Sequence, residues 1–93
     1  MIRCLLALLL ALGAGAISAQ PYALARLEQS PRHLEWTTLE GSGGRTLQAF
    51  VAYPERQADA LAVIVIHENR GLTDWVRSFA DQLAEAGFIA IAP

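Results

Sequence analysis

The 93-residue sequence contains no lysine. All seven basic residues are arginine, set against nine acidic ones, for a formal net charge of −2. The arginines are scattered rather than clustered, which argues against a nucleic acid partner. Aromatic residues are 8% of the chain and scattered, with no stacking platform for successive bases in view. The single cysteine, Cys4, precedes an apolar run, the wrong side for a lipoprotein cysteine, and one thiol allows no internal disulfide. Internal repeats and low-complexity tracts are absent, and the length allows no more than one domain.

The apolar content, 54% of residues, is high for a soluble chain, and the first segment explains part of it. Residues 1–19 have the layout of a secretory signal peptide. Arg3 supplies a short positive start, Leu5 to Leu12 the apolar centre, and Ala14 to Ala19 the small residues for cleavage after Ala19 or Ala16. The alternative is an uncleaved anchor, but the run falls short of the ~20 residues of a membrane span. The expectation is export to the periplasm or the exterior, with Cys4 leaving on the cleaved leader.

Residues 20–32 carry Pro21 and Pro31 and show no clear period, which suggests an extended leader or linker. From His33 the pattern alternates. Leu34, Trp36 and Thr38 share one face of a predicted strand; Leu47, Ala49, Val51 and Tyr53 share one face of the next. The glycine-rich stretch between them predicts a tight turn, hence an antiparallel hairpin.

Leu61 to Ile66 is an unbroken apolar run rich in β-branched residues, the pattern of a strand buried on both faces. Val76, Phe79, Ala80, Leu83 and Ala84 then recur with helical spacing. Thr73 is the expected N-cap, Asp74 places negative charge in the first turn, and Gly87 stands where a left-handed C-cap falls. Phe88 to Ala92 is a second short apolar strand. Two such strands joined by a helix make a parallel βαβ unit, with the loop from His67 to Leu72 at the carboxyl end of its first strand.

Several chemistries fail at that loop. His67-Glu68 lacks a second histidine four residues on, where Gly71 stands, so the zinc-protease pattern is absent. One glycine and no lysine give neither a dinucleotide fingerprint nor a phosphate loop. Gly41-Ser42-Gly43 joins two strands and opens no helix, so it is a hairpin turn and not a nucleophile elbow. Metal and cofactor are therefore not expected. What remains is a strand-to-helix turn suited to presenting a backbone N–H to a developing oxyanion.

The run from Val65 to Leu72, with Phe79-Ala80, Leu83-Ala84, Gly87-Phe88 and Ala92-Pro93 after it and Phe50 to Pro54 before it, resembles the dienelactone hydrolase family. The resemblance covers residues 33–93 and implies an α/β-hydrolase fold that cleaves a small ester or lactone through an acyl-enzyme. It implies that the Asn69 backbone N–H contributes to the oxyanion hole. It also implies that Glu68 is the active-site carboxylate that gates the nucleophile, with His67 orienting the loop. Arg70 is either a partner for a carboxylate or a solvated group. The family's Cys or Ser nucleophile, and its Asp and His, lie downstream of this stretch; Ser30, Ser42 and Ser78 lack both elbow and base.

The apolar strands need cover on two faces, and one convincing helix covers one. The expectation is therefore the amino-terminal part of an α/β-hydrolase domain, with no catalysis from 93 residues alone. The alternative is a non-catalytic remnant, or an exported chain that completes its sheet with a partner. Substrate, choice of nucleophile and oligomeric state are open at this stage.

Overall fold

A computed structural model describes residues 20–56 and 58–93; the leader expected over residues 1–19 lies outside the described residues. Alternation of apolar and polar residues builds β1 (Leu34–Glu40) and β2 (Thr46–Ala52), paired antiparallel with Trp36 opposite Phe50 and Leu39 opposite Leu47. Tyr53 N–H donates to the His33 carbonyl at 3.0 Å, so the pairing extends to the predicted strand ends. A short 3-10 turn, Ser42–Gly44, closes the hairpin. At its open end Glu35 accepts from Tyr53 Oη at 2.8 Å and lies 2.9 Å from His33 Nε2. The His33 and Tyr53 bonds hold the Glu35 carboxyl below its usual range.

The parallel unit follows. β3 (Ala62–Ile64) and β4 (Ile89–Ala92) run parallel, and β4 also pairs antiparallel with β2. The sheet order is β1-β2-β4-β3, the hairpin-plus-βαβ arrangement expected. Residues 20–32 depart from the expected extended linker: Gln20–Gln29 is a helix, α1. Pro21 sits in the first turn, where its missing N–H costs nothing, and Pro31 follows the end. Ala23 and Leu27 are four apart and turn inward on one face. The second helix, α2 (Asp74–Glu85), is where the spacing placed it. Gly87, at φ +101°, lets its own N–H reach the Ala84 carbonyl and the Phe88 N–H reach that of Leu83, a Schellman ending.

α2 packs on β2 and β4, and α1 packs on α2. The core joins Phe50, Ala52, Val65, Ala90 and Ala92 of the sheet side to Val76, Ala80 and Ala84 of the helix. Alanine dominates, so helix and sheet approach closely. Both helices therefore lie on one side of the sheet. Leu61–Ile66, expected to be buried on both faces, is buried only at Val65, which is 8% exposed, whereas Leu61 is 72%, Ile64 66% and Ile66 83% exposed. Among the described residues no element covers Ile64 and Ile66, although Ala49 and Val51, which alternate with the core-facing Phe50 and Ala52 on β2, are buried. Phe79 also departs from expectation, since it lies at the margin of the stripe and is 39% exposed.

Asp81 was not foreseen. Its side chain is fully buried on α2, where α1 and the following loop meet the helix. Arg32 grips it with Nε at 2.8 Å and Nη2 at 3.0 Å, Ser30 Oγ donates at 2.6 Å, and Arg26 Nε lies 3.2 Å away. Arg26 also pairs with Glu85, and Arg32 with Glu55 at 3.1 Å. Burial pushes the Asp81 carboxyl up, but the bonds from Arg32 and Ser30 and the charges of Arg32 and Arg26 outweigh it and hold the group below its usual range.

Asp81→Ala leaves the buried Arg32 with only the exposed Glu55 as counter-charge and is expected to cost about 3 kcal/mol, read by urea denaturation. A variant with the parent's midpoint would refute this. A carboxyl depressed in the folded state adds stability above its unfolded pKa of about 4 and loses it as pH falls through the folded value. The native chain should therefore weaken on acidification below about pH 4, and the Asp81→Ala chain less so.

Candidate active site

The last ladder bond of the β3 segment runs from Val65 N–H to the Ile91 carbonyl at 2.8 Å. Beyond it the chain leaves the sheet and must turn into α2. His67 Nδ1 lies 2.6 Å from the Glu68 carbonyl oxygen. A carbonyl can only accept, so Nδ1 carries the proton and the ring braces the loop. Gly71 adopts φ +73°, a conformation that other L-residues rarely take, and its carbonyl accepts from Thr73 N–H at 2.9 Å. Thr73 Oγ1 then accepts from Val76 N–H at 3.4 Å, the predicted cap, and Asp74 pairs with Arg77 inside the first turns.

This turn frames a cavity of about 420 Å³, lined by residues 65–71 together with Thr73, Trp75, Val76 and Phe79. Small-molecule sites have this size, with mostly apolar walls and a few polar groups. Glu68 and Asn69, the two residues singled out from the sequence, line it side by side, as does Arg70; all three are exposed to solvent. Glu68 thus has the solvated environment of a loop acid. His67 faces the same space from its brace.

Among the described residues no serine joins them. Ser30 is committed to Asp81, Ser42 lies in the hairpin turn, and Ser78 is buried in α2 with Oγ donating to the Trp75 carbonyl at 2.8 Å. Among the described residues no three His, Cys, Asp or Glu side chains gather as metal ligands, and no helix is long and apolar enough to cross a membrane. A larger hollow, about 580 Å³, lies beside α1, but its Arg26, Arg32, Glu55 and Glu85 already serve the Asp81 cluster and its ion pairs.

Sequence reasoning missed Trp75 and Phe79 as wall residues. Their rings stack 5.8 Å apart and 3° from parallel. The available signal was an aromatic pair four residues apart directly after the loop, which places both rings on one helix face.

A hairpin leading into a parallel βαβ unit, with a polar turn at the carboxyl edge of its first strand, defines a partial α/β-hydrolase fold. The sequence model of the dienelactone hydrolase family matches residues 47–93, and the chain belongs to that family. It is 46% identical over 52 residues to a Saccharolobus solfataricus protein named "Putative carboxymethylenebutenolidase"; that match takes in 56% of this chain and 20% of the relative. It is 53% identical over 32 residues to "Putative hydrolase fragment YghX" of Escherichia coli, across 34% of this chain and 27% of that one. The chain thus spans about a fifth to a quarter of the curated relatives it matches. No solved structure matches it.

Gly71→Ala meets no neighbouring atom but must hold a left-handed backbone. It is expected to cost about 1 kcal/mol and to displace the amide resonances of residues 67–72. Unchanged amide positions in the variant would show that the turn does not depend on this residue.

Proposed function

We propose that residues 33–93 form the oxyanion-loop portion of a dienelactone hydrolase-like enzyme that cleaves a small ester or lactone. The observation that carries the reading is the shared placement of Glu68 and Asn69 on the rim of one cavity, at the carboxyl edge of β3, in a chain of this family. In the proposed reaction the Asn69 N–H donates to the carbonyl oxygen as negative charge builds on it, a contribution on the order of 3 kcal/mol. A Cys or Ser outside the 93 residues attacks the carbonyl carbon. The alcohol leaves, and water releases the acid from the acyl-enzyme. Glu68 acts on the resting nucleophile as base or gate, a role its carboxylate can take once the surrounding fold desolvates it. Neither metal nor cofactor enters this chemistry. Export rests on the pattern of residues 1–19.

The test begins with the source DNA. An open frame running past the Pro93 codon into a G-x-[Cys or Ser]-x-G elbow, then Asp and His, supports the reading; a stop codon there overturns it. In that longer product Asn69→Pro, which deletes the N–H, is expected to lower kcat about 10²-fold or more, while Asn69→Ala, which keeps it, stays near the parent rate. The 93-residue chain by itself is expected to hydrolyse p-nitrophenyl acetate no faster than buffer.

A second reading is favoured by the exposed Ile64 and Ile66 and by β3, which pairs on one side only. Here the chain is non-catalytic, either a remnant or an exported chain whose open strand takes up a partner strand. Sedimentation separates this from the first reading: a defined assembly supports a binding chain, and aggregation a remnant.

A further inference from the structure

Arg77 stands on the first turn of α2, yet its charge lies against the hairpin. Its guanidinium carbon is 5.6 Å from the centre of the Trp36 ring and 5.7 Å from that of Phe50. Those two residues face each other across β1 and β2, with ring centres 5.5 Å apart and planes at 68°. Asp74 holds the same guanidinium from within the helix. The Arg77 side chain is 21% exposed, and its buried Nε has no hydrogen-bond acceptor among the described residues. The ring faces meet the charge instead, since the negative face of an aromatic ring attracts a cation within about 6 Å, and more strongly where water is excluded. The rest of the contact between helix and sheet is short. Ala52, Ala80, Ala84, Ala90 and Ala92 set how closely the two approach, but methyl groups interlock little and hold the rotation of the helix weakly.

We propose that Arg77 is a positioning residue for the turn from His67 to Leu72: clamped on Trp36 and Phe50, it fixes where α2 begins and so where the Asn69 amide stands. The catalytic meaning of that position rests on Asn69 as the carbonyl donor; the clamp itself does not. The connection is continuous. The Thr73 carbonyl accepts from the Arg77 backbone N–H at 3.1 Å, and the Thr73 N–H donates to the Gly71 carbonyl at 2.9 Å. The polar turn therefore ends on the helical turn that carries the clamp. Arg77 acts through these bonds and not by contact, because the cavity takes Thr73, Trp75 and Val76 as lining but not Arg77. A planar guanidinium suits the task, since it can lie against ring faces while its N–H groups reach a carboxylate. The hairpin, distant from the turn in sequence, thereby takes part in holding it.

The experiment follows amide hydrogen exchange and nitrogen-15 NMR spectra of the full 93-residue chain and three variants. Arg77→Met keeps an unbranched stem and removes the charge; Arg77→Lys restores a cation; Trp36→Leu removes a ring from the far side of the clamp. Arg77→Met and Trp36→Leu are each expected to speed exchange at the hydrogen-bonded Thr73 and Val76 amides about tenfold and to displace the Asn69 amide resonance. The Tyr53 and Val65 amides, bonded within the sheet, should stay within about twofold. Arg77→Lys should return Thr73 and Val76 to within about threefold of the parent. Equal acceleration at all four amides, or a Trp36→Leu chain whose turn exchanges like the parent's, overturns the clamp. Should a variant fail to fold, the unmodified chain decides: the Arg77 Nε–H signal is expected upfield of that of free arginine, shifted by the rings, and a signal at the free position overturns the proposal. The donor assignment is read separately by Asn69→Pro in the longer product. If the turn responds to Arg77 and Trp36 while Asn69→Pro keeps the parent kcat, the clamp stands and the donor reading falls. If Asn69→Pro lowers kcat while the turn ignores both variants, the donor reading stands and the clamp falls.

Discussion

The parallel pairing of β3 with β4 is the constraint from which the rest follows. Two parallel neighbours cannot be joined by a tight turn, because the chain must first travel back the length of the sheet. That return is α2, and it fixes where the polar loop goes. The chain leaves β3 at its carboxyl end, and the only route to the helix start is the turn from His67 to Leu72. Candidate chemistry stands at this edge because backbone N–H groups that leave a parallel strand here have no ladder partner. Gly71 and Thr73 make the turn tight, and His67 stiffens it from within.

The Asp81 cluster solves a different problem, that of holding a short helix against a small domain. α1 has ten residues, below the length at which an isolated helix is stable in water. Its apolar contribution is modest, chiefly Ala23 and Leu27. A buried carboxylate is costly alone, but here a forked guanidinium spans both its oxygens, a hydroxyl donates to Oδ1 and a second guanidinium lies against Oδ2. The geometry ties α1 and the chain up to Arg32 to one atom pair on α2. A segment with little tertiary grip of its own thereby gains a fixed position.

Much of the architecture was legible because short-range rules decide it. The alternation from Leu34 to Thr38 and from Leu47 to Tyr53, and the spacing from Val76 to Ala84, each report a periodic backbone. Thr73 and Gly87 mark helix ends through their own side chain or its lack. The misses share a cause. The two prolines masked the helix at residues 20–29, whose stability comes from Asp81, some fifty residues away. Asp81 itself looks like any polar residue beside an apolar stripe until a second helix is laid on that flank. Ile64 and Ile66 read as buried because composition registers hydrophobicity but not whether a covering element exists. At the site, the sequence placed Glu68 and Asn69 in one turn. It could not show that Phe79 turns out of the core to meet Trp75, since a one-residue shift around the helix decides that.

The strand order also dictates how the chain can assemble. The hairpin joins residues close in sequence, and the βαβ unit closes around its own helix, so each has a local route to its pairing. Within the sheet the two halves meet where β2 lies against β4, through three residue pairs such as Phe50 with Ala92, about forty positions apart. Closing that long loop costs entropy before it returns any contact. The seam between β2 and β4 is thus the longest-range pairing in the sheet, and its closure adds Phe50 and Ala52 to the alanine-rich core beneath α2.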